Sequence, residues 1–167
     1  METWDIYDSC FVKTGRTHER GKPLASGDYH LIAHVYPVNN KGQLLIQKRA
    51  DSLSWKPGKW AATSGSATVG EDGWTTCQRE LEEELGIKAT RDNSSLAFML
   101  RRREHFTTVW IVNTNIEIEE LVIQPAEVAE AKWVNHKELK KMVKKGEFLN
   151  YAYLDSLLKI IDEGKGN

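Results

Sequence analysis

The sequence predicts an α/β fold in which a mixed β-sheet packs between helices, and three observations predict it. Two pairs of β-rich runs are each joined by turn residues, one amphipathic helix follows the first pair, and two further helical stretches close the chain. The first pair is HLIAHVYPV (His30 to Val38) and QLLIQKR (Gln43 to Arg49), with NNKG between them as the turn of a hairpin. A loop through Pro57 and Gly58 leads to a short strand, Trp60 to Gly65. Helical spacing begins at Asp72, a good N-cap. Trp74, Cys77, Leu81 and Leu85 then form one apolar stripe, and Gly86 stands where a helix ends in the left-handed conformation. Leu96 to Arg102 and His105 to Asn113 read as a second hairpin, and Ala131 to Val134 as a last short strand. Lys137 to Lys145 and Asn150 to Asp162 read as helices, with His136 marking the start of the first. The polar stretch Lys13 to Asp28 reads as a surface linker, which makes about residues 1–28 an N-terminal extension.

At 167 residues, 40% of them hydrophobic, the chain can fill one core, so residues 1–167 are expected to form a single domain. The 23 basic side chains nearly cancel the 24 acidic ones, and a net charge of -1 gives no general attraction to a nucleic acid polymer. Two cysteines, Cys10 and Cys77, make neither a disulfide framework nor a metal pair. The N-terminus has no basic head with an apolar run, and no apolar stretch approaches the ~20 residues of a membrane span. A cytoplasmic protein without a membrane partner is the expectation.

The chemistry lies in the helix and the loop before it. Helical geometry puts Glu80, Glu83 and Glu84 within one arc of about 100°, whereas Glu82 points away to solvent. Like charges at these spacings repel, and Arg79 is the one basic residue within the helix core. Clustered carboxylates are the ligand set of a hard divalent cation such as Mg²⁺, which binds a few carboxylates, waters and substrate phosphates. The preceding loop, GSATVGE (Gly65 to Glu71), has glycines that allow close backbone approach to a ligand.

Gly65, Glu71, Arg79, Glu80, Leu81, Glu83, Glu84, Gly86 and Ile87 match all nine defined positions of the Nudix box, and the chain resembles the Nudix hydrolases. At average residue usage such a match arises by chance with odds on the order of 10⁻⁷ or below. The resemblance implies an α/β/α sandwich and hydrolysis of a diphosphate linkage, in a nucleoside diphosphate linked to another moiety or a similar organic diphosphate. It implies Mg²⁺, with Mn²⁺ as the alternative ion, at Glu80, Glu83, Glu84 and Gly65, and an Arg79–Glu71 pair joining helix and loop. Members differ in where the general base lies; Glu83, Glu127 and Glu130 are the candidates. Arg49 and the trio Arg101, Arg102 and Arg103 with His105 are candidates for binding phosphate, with Arg49, Arg101 and Arg103 put first. Trp60, Trp74, Trp110 and Trp133 are expected in the core, and Trp55, in a charged loop, is a candidate to stack on a base. A homodimer is common in the family.

The N-terminal half, with WDIYD, GDYHLIAHV and PGKW, is also similar to the isopentenyl diphosphate isomerases, which share the Nudix fold. His30 matches one of that enzyme's metal-ligand histidines, but its cysteine and second histidine fall on Gly65 and Ala67. Without a thiol the proton shuttle lacks an agent, which favours hydrolysis. A module that senses nucleotides without turnover is the non-enzymatic alternative, and it would be expected to have lost carboxylates that this chain keeps.

Overall fold

The computed structural model describes residues 2–164. A two-stranded sheet, β1 (Thr3–Tyr7) and β2 (Lys13–Glu19), precedes a seven-stranded one. The larger sheet contains β3 (His30–Val38), β4 (Leu44–Arg49), β5 (Trp60–Ala61), β6 (Thr63–Ser66), β7 (Ser94–Arg101), β8 (His105–Asn113) and β9 (Val128–Val134). Three helices pack on it: α1 (Gly73–Leu85), α2 (His136–Lys144) and α3 (Leu154–Gly164). The strand order is β5-β4-β3-β8-β7, with β6 added on β3 and β9 on β4. The β3–β8 pair is parallel and the other pairs are antiparallel, so the sheet is mixed.

Alternation along the central strands sends side chains to two cores. Ala33, Val35 and Leu45 meet Cys77, Leu81 and Leu85 of α1 on one face. Tyr36, Val38, Leu44, Ile46 and Val109 meet Leu139, Leu157 and Leu158 of α2 and α3 on the other. The result is the expected α/β/α sandwich. Trp110 is buried, and Trp60, Trp74 and Trp133 pack partly buried against these cores.

Three expectations are corrected. Lys13 to Asp28 is not all linker: Lys13–Glu19 is a strand paired with β1 from Thr3↔Glu19 to Tyr7↔Lys13. Most of that strand is exposed, so it carries no apolar alternation to read. The first hairpin turns where expected, but β3 and β4 share only the pair Val38↔Leu44, because β6 takes the β3 edge from Ile32 to Val35. The final helix begins at Leu154 rather than Asn150, and the segment before it is turned towards the cleft described below. Among the described residues no helix is long and apolar enough to cross a membrane.

Helix α1 is bounded as its sequence predicts. The Asp72 carboxylate accepts from the Thr75 N–H at 2.8 Å, and Gly86 ends the helix with φ of 69°, its N–H on the Glu82 carbonyl. These ends fix which turn carries the glutamates. Asp72→Ala is expected to lower stability by about 1 kcal/mol and Asp72→Asn by much less, as measured by chemical denaturation.

Candidate active site

Arg79 uses all five of its N–H donors. Nε and Nη2 grip the Glu71 carboxylate at 2.7 and 3.0 Å, and Nη2 also donates to the Ser66 carbonyl at 3.1 Å. Nη1 donates to Glu80 at 2.7 Å and to Glu83 at 3.2 Å. One guanidinium thus ties β6, the glycine loop and α1 together. Burial pushes the Glu71 carboxyl up, but the bonds from Arg79 and Thr68 outweigh it and hold the group below its ordinary range.

The glutamates of α1 share a face but not an environment. Glu80 lies directly over Gly65, where a Cβ would fall 1.7 Å from its Oε1, so only glycine leaves room for this carboxylate. Burial raises the Glu80 pKa against the opposing pull of Arg79. Glu84 is buried and accepts from Gln47 Nε2 at 2.7 Å, while Gln47 in turn accepts from Thr63 Oγ1 at 3.1 Å. Burial pushes the Glu84 carboxyl up to about 8, with the Gln47 bond opposing and the charges of Glu80 and Glu127 adding. Glu83 stands at the rim with a half-exposed side chain, and Glu82 faces solvent.

These residues line one end of a cleft of about 1160 Å³. Its floor carries Ser64 and Ser66 of β6, His34 of β3, and His105 and Thr107 of β8. Glu127 lines it, near enough to Glu84 for their charges to interact, whereas Glu130 is exposed on β9 opposite Lys48 and lies off the cleft. Arg49 lines it too, its guanidinium 5.1 Å from the Trp55 ring and its Nε bonded to the Trp55 carbonyl at 3.0 Å.

The arginine trio divides differently from expectation. Arg102 and Arg103 line the cleft, while Arg101, placed among the phosphate binders, lies outside it with Nη1 on the Ser9 carbonyl at 3.0 Å. β7 ends at Arg101, and the turn that follows, closed by the Arg102 N–H on the His105 carbonyl at 2.7 Å, carries Arg102 and Arg103 to the cleft. Sequence reasoning missed Gln47, His34, Tyr151 and Tyr153. The first two are polar residues inside apolar strand runs, which was a readable signal; the tyrosines reach the cleft from a segment expected to be helical.

The donor set suits a hard divalent cation: carboxylates of Glu80, Glu83 and Glu84, with Gly65 giving Glu80 room to lie against the backbone. Among the described residues no three acidic, imidazole or thiol groups are already gathered tightly enough to hold an ion by themselves. Arg79 and Gln47 hold those carboxylates, and Mg²⁺ asks for few protein ligands because it keeps waters and binds substrate phosphates.

The sequence matches the NUDIX domain over residues 28–155. The chain belongs to the Nudix family. An uncharacterized Nudix hydrolase of Listeria monocytogenes is 37% identical over 161 residues, covering 96% of this chain and 95% of that protein. An isopentenyl-diphosphate Delta-isomerase of Halorhodospira halophila is 35% identical over 108 residues, 64% of this chain and 61% of that one. The crystal structure of DR0079 from Deinococcus radiodurans superposes with a TM-score of 0.77 at 18% identity, over 96% of this chain and 99% of that one, and so shares the fold. This Nudix protein is a hydrolase of a family that generally depends on divalent metals and acts on small-molecule diphosphates.

Folding raises the Glu84 pKa, so the fold favours its protonated form. That contribution is complete below the ordinary value of 4.5 and is lost as pH rises through about 8. With a chelator present, the melting temperature of the wild type is expected to fall relative to Glu84→Gln between about pH 5 and about pH 8. Parallel curves would show that Glu84 is not desolvated.

Proposed function

We propose that this Nudix hydrolase cleaves the diphosphate linkage of a nucleoside diphosphate joined to another moiety, or of a similar organic diphosphate, with Mg²⁺ or Mn²⁺ held by Glu80, Glu83 and Glu84. The observation that carries the reading is the placement of these carboxylates, with Glu80 lying on Gly65, at one end of a cleft whose other walls bear arginines. A bound cation there would neutralise phosphate oxygens and lower the barrier to attack by water. The protein's own part is to fix the carboxylates through Arg79 and Gln47, to bind phosphate through Arg49 and Arg103, and to accept the proton of the attacking water. Glu83 at the rim and Glu127 across from Glu84 are the two carboxylates offered for that last role. As water's oxygen bonds to phosphorus, the bridging P–O bond breaks and its electrons leave with the departing phosphate.

The polar floor of Ser64, Ser66, His34 and Thr107 favours a polar organic group over an isoprenoid chain. Isomerisation also lacks its thiol. Neither cysteine lines the cleft among the described residues: Cys10 is exposed elsewhere, and Cys77 is buried on the sheet-facing side of α1 with its thiol pushed up to about 12 by burial. Incubation with isopentenyl diphosphate is accordingly expected to yield no dimethylallyl isomer. In a panel of diphosphate compounds with Mg²⁺ and products identified by mass, Glu83→Gln is expected to lose turnover by about 100-fold or more with its fold intact. Unchanged turnover in that variant would sink the metal assignment.

A further inference from the structure

Five arginines line the cleft, and four already have partners. Arg20 pairs with Glu2 at 2.6 Å, Arg49 donates to the Trp55 carbonyl at 3.0 Å, and Arg79 is saturated by its carboxylates. Arg103 is solvent-exposed beside Glu104 at 3.8 Å. Arg102 differs. It is half-buried, and among the described residues its guanidinium has neither a hydrogen-bond acceptor nor a carboxylate partner.

Its surroundings do not compensate it. Arg102 lines the cleft together with His34, His105 and Tyr153, near enough for its charge to act on all three. His34 keeps some surface at the floor, yet the depth of the cleft desolvates it. Burial first, then the charges of His105 and Arg102, lower its pKa to about 3. Burial and Arg102 lower that of His105 as well. Both imidazoles are therefore neutral near neutral pH and offer hydrogen bonds without opposing charge. His34 Nδ1 is bonded to the Tyr153 hydroxyl, which also bonds Tyr36 at 3.0 Å, so the ring is held in place.

A half-buried guanidinium without a counter-ion has donors left over, and the group that matches its planar fork is an oxyanion. The carboxylate end cannot supply one. Glu80 lies over Gly65 on β6, and β3 and β8 intervene before β7, from whose end Arg102 projects. That is three strand spacings, or roughly 14 Å of backbone.

We propose that Arg102, with His34 and His105 beside it, forms a second anion subsite that takes a phosphate group of the substrate remote from the carboxylates of α1. Assigning that phosphate to a substrate rests on the hydrolase reading above; the subsite itself does not. The preferred substrates then carry more than a bare diphosphate. Their further phosphate lies either on a longer phosphate chain or on the organic group.

Calorimetric titration of the full chain with inorganic phosphate in the presence of a chelator tests the subsite without the metal. Phosphate is expected to bind the wild type and Glu83→Gln alike, Arg102→Met about tenfold or more weakly, and Arg102→Lys at an intermediate level. The melting temperature of Arg102→Met is expected to equal or exceed that of the wild type, because no native partner is lost. Equal phosphate affinity in Arg102→Met, no binding to the wild type, or lost binding with a lowered melting temperature would overturn the proposal. Two turnover arms with Mg²⁺ then assign the phosphate. A raised KM in Arg102→Met for a nucleoside triphosphate places it on the chain, one for a dinucleotide bearing a 2′-phosphate places it on the organic group, and a raised KM for neither overturns its assignment to substrate. Should no diphosphate be turned over at all, the hydrolase reading fails while the phosphate titration still decides the subsite.

Discussion

The site depends on one saturated guanidinium. Three carboxylates and a backbone carbonyl, drawn from β6, the glycine loop and α1, converge on Arg79, and a planar fork with fixed donor directions permits little variation in where they lie. Glutamates at i, i+3 and i+4 would push one another apart on a bare helix. Here the repulsion is met at its source, so α1 can present a concentrated acidic face at the edge of a cleft instead of dispersing it. Lysine, a point charge without the fork, could not hold Glu71 through two bonds while reaching Glu80 and Glu83.

The rest of the architecture serves that convergence. Asp72 and Gly86 fix the ends of α1, Leu81 and Leu85 anchor it to the sheet, and the lack of a side chain at Gly65 lets Glu80 lie against β6. Environment then divides three chemically identical residues: Glu84 is buried against Gln47, Glu80 is half-buried under Arg79, and Glu83 meets solvent. Besides Arg79, positive charge enters the cleft at two places. Arg49 acts near Glu84 and Tyr151, and Arg102 acts near His34, His105 and Tyr153. The carboxylates of α1 stand at one end of the cleft and Arg102 in a part remote from them, a separation that would suit an elongated anion.

The sequence revealed the parts of this site that lie on a single element. Glu80, Glu83, Glu84, Arg79 and Glu71 follow one another along a helix and its entry loop, where local geometry dictates relative position. What it concealed comes from separate elements brought together by sheet pairing. Gln47 reaches Glu84 from β4, His34 meets Tyr153 across 119 residues, and which of Arg101 and Arg102 faces inward is set by where the pleat of β7 ends. The fold shows the same division. Strands with a buried face were legible, whereas β2, mostly exposed, left no pattern, and the loss of pairing between β3 and β4 followed from competition by β6 for the same edge.

The central claim is that the α1 carboxylates form a divalent-cation site. Anomalous diffraction from crystals soaked in Mn²⁺ tests it most directly, since the ion is located without reference to any assay. A peak bounded by Glu80, Glu83 and Glu84 beside Gly65, absent from Glu80→Gln crystals, is the predicted result. A peak elsewhere in the cleft, or one that survives that substitution unchanged, would contradict the account.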